Sequence, residues 1–371
     1  GTIRRSRLES ERPEQGHRVE SRGKAETPLR RLKLLRTLPL LVLAVLGLAA
    51  GACSDSEDIG EFEQVVFMAG FKAQANLPFV AAYVAQDKGF FADQNLDVEI
   101  RHASSGEHLN LLMAGDVDFT TASAASVLKR RSDPELPIYA IALFGQGSQQ
   151  AFIALKESGI ESPTDWEGKT FGYKTSQPPE YLAILKANGV DRSKIKEVRV
   201  GFDPRVLTHG EIDVLAVFDS NEPDTIRRTL GFDVNVWEAS DYGLPSMGLT
   251  YITRSELGEE SPEKVERFLK ATLKAFQHLV DNREEALDIV MKFAPKEDRE
   301  HQKFMLDIEL ADAVSQITQD HGLGWMTDQQ WKRLYDQFVE FDALPRPFDY
   351  QTAYTDRFLK AVYDGNELRW P

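Results

Sequence analysis

The chain has 371 residues, of which 42% are hydrophobic and 10% aromatic, so it is long enough to build two lobes with separate cores. The formal net charge is −15, and residues 54–371 alone hold 33 basic and 54 acidic residues. So acidic a body repels phosphate backbones, which argues against nucleic acid as a partner. Cys53 is the only cysteine, so no internal disulfide can form, and the sequence has neither paired cysteines nor a His-Glu-x-x-His motif. We therefore expect no metal site and no cofactor.

The amino-terminal segment has the pattern of a secretory signal. Four Lys or Arg residues precede an apolar run, 38–52, which is shorter than the ~20 residues that span a bilayer. Small residues then lead to Cys53, as in a bacterial lipobox, with Ala50 where leucine is usual. Acylation there would anchor the protein, because stable anchoring takes more than one lipid chain. An ordinary signal peptide with an incidental cysteine is the alternative.

The first half of the body alternates between strand and helix patterns. Strands are predicted at 64–69, 96–101, 117–121 and 138–144, with helices at 78–94, 107–114 and 124–131. The alternation begins again at 162–169, a loop with a short turn. It continues with strands at 170–173, 196–200, 214–218 and 249–253 and helices at 178–188 and 223–230. This order indicates mostly parallel sheets covered by helices on both faces.

From Ser261 onward the chain is predicted to be nearly all helix. Ser261 is a good N-cap and Pro262 a good first helical residue. Further helices are expected at about 283–293, 297–319, 327–341 and 351–363, with the tail aromatics Trp325, Trp331, Phe338 and Phe341 as core residues.

The predicted architecture is α/β with two lobes, the second inserted in the first, and a helical carboxyl-terminal tail packed back on the first lobe. Two crossings of the chain, near 147–156 and 240–250, would form the hinge. The expected domains are a signal segment with lipobox (1–53), a tether (54–63), lobe 1 (64–150 plus 246–371) and lobe 2 (151–245).

Several segments together resemble the type II periplasmic binding proteins of the thiamine-pyrimidine and sulfonate family. They are 83–91 with 96–98, then 112–119, and 166–172, within a match that covers about 64–345. Four further stretches resemble the riboflavin-binding branch of that family, namely 106–109, 119–126, 173–181 and 220–224. The resemblance implies a two-lobe periplasmic binding protein type II fold. It also implies a binding component that serves a riboflavin ABC importer, with neighbours that bind a thiamine-related aminopyrimidine.

Candidate ligand-binding residues follow the predicted strands, because ligands of open α/β sheets bind outside the carboxyl ends of the strands. We predict that these are Gln74, Asn76, Phe79, Ser123, Phe144, Gln146, Tyr173, Ser176, Tyr181, Asn221, Glu222 and Tyr242.

The candidate set is rich in amides and aromatic rings. Riboflavin needs flat aromatic faces for its ring system and hydrogen-bond partners for the ring edge and ribityl hydroxyls. An aminopyrimidine would favour a carboxylate opposite its amino group, and Glu180 or Glu222 could serve. A sulfonate or nitrate would favour arginine or a helix N-terminus. Lys174 and Arg205 lie near the second-lobe loops, so an anionic ligand remains an alternative.

An enzyme of the same fold is a weaker alternative. Fungal pyrimidine synthases use a cysteine-rich iron motif, and this body has no cysteine after Cys53. A structural lipoprotein or sensor module also stays open. We expect a monomeric, lipid-anchored protein on the extracytoplasmic face of the cell membrane that closes around a small molecule and then docks on an ABC permease.

Overall fold

The structure is a computed structural model that describes residues 62–147, 149–244 and 247–371. The predicted signal segment, Cys53 and the tether up to residue 61 lie outside the described residues. The described strands are β1 (Glu63–Ala69), β2 (Leu96–His102), β3 (Phe119–Ser123), β4 (Ile138–Leu143), β5 (Gln150–Leu155), β6 (Thr170–Tyr173), β7 (Lys196–Arg199), β8 (Val214–Phe218), β9 (Val234–Glu238), β10 (Leu249–Arg254), β11 (Tyr363–Asp364) and β12 (Glu367–Leu368).

The helices follow the same alternation until β10 and then dominate the chain. In order, they are α1 (Leu77–Asp87), α2 (His108–Ala114), α3 (Ala124–Ser132), α4 (Pro179–Ala187), α5 (Arg205–Thr208), α6 (Glu222–Thr225), α7 (Ser255–Glu260), α8 (Pro262–Asp281), α9 (Arg283–Phe293), α10 (Arg299–Ala313), α11 (Gln316–His321), α12 (Asp328–Glu340) and α13 (Arg357–Val362).

Two five-stranded sheets organise the described residues. Their strand orders are β2-β1-β3-β10-β4 and β7-β6-β8-β5-β9. We call the first sheet with α1–α3 and α7–α13 lobe 1, and the second sheet with α4–α6 lobe 2. The two lobes confirm the predicted α/β architecture of two sheets with a helical tail.

The two sheets are built alike, and each is mixed, with one strand that runs against the other four. The first three strands of each sheet pair in parallel, whereas the fourth strand is antiparallel to both neighbours. That fourth strand is β10 in lobe 1 and β5 in lobe 2, the strand by which the chain enters the sheet from the other lobe. The expectation of mostly parallel sheets therefore holds for four of the five strands in each sheet, and only the crossing strand runs against them.

Most predicted elements lie within a few residues of the observed ones, and the others differ in length, number or type. Helix α1 ends at Asp87 because Gly89 has a φ of +78°, which stops the helix before the predicted residue 94. Strands β5, β9, β11 and β12 and the short helices α5 and α7 were not predicted. The predicted helix 351–363 is a 3₁₀ turn, Tyr350–Ala353, followed by the short helix α13. The predicted helix 297–319 is two helices, since the Ser315 Oγ caps α11 by accepting a hydrogen bond from the Thr318 amide.

The tail helices pack on lobe 1 and also reach lobe 2. Phe268 of α8 stacks on Phe119 of β3 at 4.0 Å, and Trp331 and Phe338 of α12 are fully buried, as predicted for core residues. Helix α12 also packs against α4 of lobe 2. The tail therefore contacts both lobes rather than the first alone.

Candidate functional site

A cavity of about 170 Å³ lies between the two sheets, beside the ends of the parallel strands. The first lobe supplies loop and helix residues that follow β1, β2 and β3, and the second supplies residues that follow β6, β7 and β8. The main lining side chains are Phe71, Gln74, Asn76, Phe79, His108, Ser123, Ser126 and Arg130 from lobe 1, and Lys174, Ser176, Glu180, Phe202, Asn221 and Glu222 from lobe 2. The topology explains the place, because parallel strands bring their following loops to one edge of each sheet.

The two lobes touch at the cavity. The rings of Phe71 and Phe202 lie 4.3 Å apart between centroids at an angle of 56°, and the Nζ of Lys174 lies 5.4 Å from the centre of the Phe71 ring. Lys129 of lobe 1 also donates a 2.6 Å hydrogen bond to the carbonyl of Gln177 in lobe 2. The structure therefore shows the lobes in a closed arrangement.

Seven of the twelve predicted residues line this cavity. They are Gln74, Asn76, Phe79, Ser123, Ser176, Asn221 and Glu222. Six lie in loops, or in the first residues of helices, that follow strands of the sheets, and Ser123 is the last residue of β3. These are the positions from which they were predicted.

Tyr181 and Phe144 lie instead in hydrophobic cores. Tyr181 has no exposed surface, and its ring stacks on Phe171 with centroids 3.8 Å apart. Phe144 is 1% exposed and packs on Tyr251 and Phe276. Neither ring lines the cavity, because both are packed in hydrophobic cores, so the structure contradicts their predicted position there.

Three further predicted residues also lie outside the cavity lining. The Gln146 amide donates to the Trp325 carbonyl at 2.9 Å and accepts from Gln330, so it ties the first crossing to the tail. Tyr173 is half-buried against Phe171 at the end of β6. Tyr242 is half-buried in the 3₁₀ turn Ala239–Tyr242.

A chain of amide groups crosses the floor of the cavity. The Gln74 amide donates to the Asn76 Oδ1 at 2.6 Å, and the Asn221 amide of lobe 2 donates to the Gln74 Oε1 at 3.4 Å. The Asn76 amide in turn donates to Glu309 of α10 at 2.5 Å, and the hydroxyl of Ser220 donates to the same carboxyl at 3.1 Å. Residues of both lobes therefore share one buried hydrogen-bond network.

Helix α10 orients this network from behind. Burial raises the pKa of the Glu309 carboxyl to about 8, so this group is largely neutral at pH 7. His301 also lies on α10. Its Nδ1 is hydrogen-bonded to the Asp224 carboxylate at 2.7 Å, and its Nε2 is hydrogen-bonded to the Asn221 Oδ1 at 3.1 Å. Both cavity asparagines, Asn76 and Asn221, are thus fixed by side chains of one helix.

Two carboxyl groups of lobe 2 face the cavity in different states. Glu222 forms an ion pair with Lys174 and accepts a 3.0 Å hydrogen bond from the Phe218 amide. Glu180 is 2% exposed, and burial raises the pKa of its carboxyl to about 7. Glu180 is therefore the carboxyl that a ligand would meet without first breaking an ion pair.

The cationic side chains differ from the sequence expectation. Arg205 is exposed, is paired with Asp203 and does not line the cavity. It was one of the two cations that left an anionic ligand as an alternative. Arg130 lines the cavity, as does His108, and neither was among the twelve candidates. Phe202 was also missed. His108 and Phe202 both come shortly after strands, β2 and β7, so the rule used for the other candidates could have found them.

Among the described residues, no group of three or more His, Cys, Asp or Glu side chains is arranged to hold a metal ion. The same part of the chain contains no helix both long and apolar enough to cross a bilayer.

Two mixed sheets with a cleft between them are the fold of the periplasmic solute-binding proteins. One solved example is the periplasmic aliphatic sulphonate binding protein of Escherichia coli, which has a TM-score of 0.59 and 12% identity over 83% of this chain and 94% of its own. Residues 76–286 match the NMT1/THI5-like family, more than half of the chain, and the protein belongs to that family.

Two relatives with named ligands cover most of the chain. A riboflavin-binding protein, RibY, from Chloroflexus aurantiacus is 27% identical over 76% of this chain and 83% of its own length. A formylaminopyrimidine-binding protein from Halalkalibacterium halodurans is 25% identical over 85% of this chain and 96% of its own. The sequence resemblance to this family of binding proteins is thereby confirmed.

Proposed function

We propose that the protein is the solute-binding component of an ABC importer and captures riboflavin between its two lobes. The observation that carries the proposal is the cavity between the sheets, which joins aromatic faces to a row of amides. Phe71, Phe79 and Phe202 offer flat apolar surface, and Gln74 and Asn221 offer hydrogen-bond donors and acceptors. The riboflavin-binding relative supports this choice of ring compound.

Closure would follow from contacts that the ligand makes with both lobes. A ligand shifts the balance between open and closed forms only by its differential affinity for them. Phe71 and the amide of Gln74 belong to lobe 1, whereas Phe202 and Asn221 belong to lobe 2. A ring that contacts residues of both lobes favours the closed form, which would then dock on the permease.

The direct test is titration of the purified protein with riboflavin, followed by the quenching of flavin fluorescence and by the melting temperature. We expect saturable binding at about micromolar concentration or tighter, which corresponds to about −8 kcal/mol or better. The melting temperature should rise with ligand concentration because riboflavin binds only the folded state. No quenching and no thermal shift at 100 μM riboflavin, about a hundred times that Kd, would exclude riboflavin as the ligand.

An aminopyrimidine is the second candidate, and Glu180 is the observation that favours it. A carboxyl with a pKa of about 7 can pair with an aminopyrimidine through two hydrogen bonds, one to the amino group and one to the neighbouring ring nitrogen. The formylaminopyrimidine-binding relative agrees with this chemistry. Calorimetric titration with a 4-aminopyrimidine separates the candidates, and Glu180→Gln should weaken the pyrimidine far more than riboflavin.

We also propose that Cys53 carries the lipid anchor and holds the protein, as a monomer, on the extracytoplasmic face of the membrane. The sequence before Cys53 supports this, since small residues follow a short apolar run. Expression in a bacterial host with a labelled fatty acid tests it. Label and protein should both appear in the membrane fraction for the natural chain, and Cys53→Ser should lose the label.

The proposed domain limits are 64–150 with 246–371 for lobe 1 and 151–245 for lobe 2, joined by the two crossings. Limited proteolysis tests the crossings as a hinge. Cleavage in the links between β4 and β5 or between β9 and β10 should slow when the ligand closes the lobes.

A further inference from the structure

Two side chains on the lobe 1 wall of the cavity have hydrogen-bonding capacity that no other described residue uses. His108 is the first residue of α2, and Arg130 lies in the last turn of α3. Both line the same cavity, and the charge of Arg130 contributes to the lowered pKa of the His108 imidazole.

His108 is a buried imidazole with an unmet nitrogen. Its side chain is 8% exposed, and its Nδ1 has no hydrogen-bond partner among the described residues. Burial is the main cause that lowers the pKa of His108 to about 4, so the ring is neutral at pH 7 and offers one donor and one acceptor. Buried polar atoms of native proteins are normally paired, so this nitrogen beside the cavity leaves a hydrogen bond that a bound molecule can complete.

The backbone opposite makes room for this ring. A Cβ added to Gly70 would lie 2.9 Å from the Thr121 Oγ1 and 3.3 Å from the His108 Nε2. Glycine therefore lets the loop after β1 approach the imidazole closely while its amide donates to Thr121 at 3.0 Å.

Arg130 is the cation at the cavity that lacks a partner in the part of the chain that the structure describes. Lys174 is occupied by Glu222. No hydrogen bond or ion pair from residues 62–147, 149–244 or 247–371 engages the Arg130 guanidinium, and burial alone lowers its pKa, without a carboxylate to offset it. A half-buried guanidinium without a counter-charge is costly unless a ligand completes it.

Hydroxyl groups lie on the same face of α3. Ser126 lies one turn before Arg130, and its Oγ is 3.0 Å from the Oγ of Ser123, the N-cap of the helix. These hydroxyls add donors next to the imidazole and the guanidinium.

We propose that His108 and Arg130 form a subsite on lobe 1 that binds a negatively polarised oxygen of the ligand, either a ring carbonyl or a phosphate. This inference rests on the proposed function, because it assumes that the ligand is bound in this cavity. The planar guanidinium presents parallel N–H donors that match carbonyl and phosphate oxygens, and the imidazole adds a donor beside it. On the lobe 2 wall, the Glu180 carboxyl accepts hydrogen bonds when it is ionised and can donate one when it is protonated. The donors of lobe 1 and this carboxyl of lobe 2 together fix which edge of a ring faces which lobe.

The test uses Arg130→Met and His108→Leu, with riboflavin and flavin mononucleotide as probes. Each variant should weaken binding by about tenfold to a hundredfold, as expected for a hydrogen bond to a charged or buried group. Arg130→Lys should bind more tightly than Arg130→Met, because it keeps the positive charge. His108→Gln should bind more tightly than His108→Leu, because it keeps a hydrogen-bond donor and acceptor. Arg205→Met is the matched control, since that arginine is exposed and paired outside the cavity lining, and it should bind like the natural protein.

The two flavins distinguish the two sources of the oxygen. Equal weakening of both flavins by Arg130→Met assigns the subsite to a ring carbonyl. Weakening of flavin mononucleotide alone, together with its tighter binding to the natural protein, assigns it to a phosphate. Unchanged affinity for both flavins in both variants, while Phe202→Ala still binds more weakly, would overturn the subsite.

A natural protein that binds neither flavin would defeat the proposed function without deciding the subsite, so a second measurement is needed for that case. The imidazole nitrogen resonances of His108 are then followed by NMR during titration with inorganic phosphate. A shift that is lost in Arg130→Met upholds the subsite. No shift at millimolar phosphate overturns it.

Discussion

Two groups of aromatic side chains, one in the core of lobe 2 and one at the cleft, cannot be told apart in the sequence but have different structural roles. Phe152, Trp166, Phe171 and Tyr181 form a cluster in the lobe 2 core, where each is at most 1% exposed. Phe71 and Phe202 instead meet across the cleft, one from each lobe, and both are partly exposed. The core cluster exists whether the lobes are open or closed, whereas the cleft pair exists only when they close.

The difference shows that ligand recognition depends on which rings span the two lobes and not on how many rings a lobe contains. Contacts within one lobe contribute equally to the open and the closed form, so they cannot shift the balance between them. Contacts between lobes contribute to the closed form alone. The core cluster should therefore affect stability and the cleft pair should affect affinity.

The largest expected effect is on stability, from Tyr181→Ala. Removing a fully buried ring that stacks on Phe171 at 3.8 Å should lower the free energy of unfolding by about 3–5 kcal/mol. Chemical denaturation measures this loss. Tyr181→Phe is the control, because it keeps the ring and loses only the 3.2 Å hydrogen bond to Glu197, at about 1 kcal/mol. If Tyr181→Ala left stability unchanged and abolished riboflavin binding, Tyr181 would be a ligand-binding residue and not a core residue.

The next effect comes from Glu309, whose carboxyl is shared by both lobes. Glu309→Ala leaves the Asn76 amide and the Leu77 backbone N–H without their acceptor, which should cost about 2–3 kcal/mol. Glu309→Gln keeps an acceptor oxygen and should cost less. Equal losses in both variants would mean that the contact serves packing rather than hydrogen bonding.

The same carboxyl predicts a pH dependence. Burial raises its pKa from the ordinary value of 4.5 to about 8, so the folded state holds more protons than the unfolded state between these values. Stability should therefore fall as the pH rises from about 4.5 to about 8 and then level off. Asp219, with a pKa of about 7 from burial, acts in the same direction, so Glu309→Gln should flatten the dependence without abolishing it. Denaturation at pH 5, 7 and 9 measures the slope, and an unchanged slope in Glu309→Gln would contradict this assignment.

The elements of the fold were predictable where hydrophobic periodicity is strong and local. Strand β5 was missed because its apolar run, residues 150–155, lies at the first crossing and was assigned to the hinge. Only the tertiary arrangement shows that the crossing strand pairs inside the second sheet, between β8 and β9. Topology, not propensity, decides the role of this segment.

Position just after a strand predicted most of the candidate site, whereas for residues on helices the sequence did not show which of them face the cavity. Glu180 and Tyr181 are neighbours at the start of α4, yet Glu180 lines the cavity and Tyr181 lies in the core. Successive residues of a helix point about 100° apart, so the choice depends on how α4 rotates against its sheet. Arg130, at the far end of α3, was missed for the same reason.

A moderate effect on affinity should follow from Phe202→Ala and Phe71→Ala. Each change removes one side of the contact between lobes and a flat surface for the ring, so riboflavin binding should weaken by about tenfold, or about 1–2 kcal/mol, with little loss of stability. Fluorescence titration of both single variants and the double variant gives the coupling, which should be about 0.5–1.5 kcal/mol. Phe62→Ala is the matched control, because this exposed phenylalanine lies at the opposite end of β1 from the cleft.

The smallest expected effect lies at the cleft edge, where Glu107 folds the loop after β2. Its carboxylate accepts hydrogen bonds from the Ser104 and Ser105 amides at 2.9 and 2.8 Å, and these bonds lower its pKa from 4.5 to about 2. The contribution to stability is therefore present above pH 4.5 and lost as the pH falls towards 2. Because the group is exposed, solvent screening limits Glu107→Gln to about 0.5–1 kcal/mol.

The loop that Glu107 holds also affects ligand binding, because its Gly106 lines the cavity next to Thr175 of lobe 2. A looser loop must be ordered again when the lobes close, so Glu107→Gln should slow riboflavin association more than it speeds dissociation. Stopped-flow fluorescence separates the two rates. Glu99→Gln is the control, since that carboxylate is exposed on β2, is paired with Arg101 and does not line the cavity. If both variants changed association equally, general charge steering rather than loop order would account for the effect.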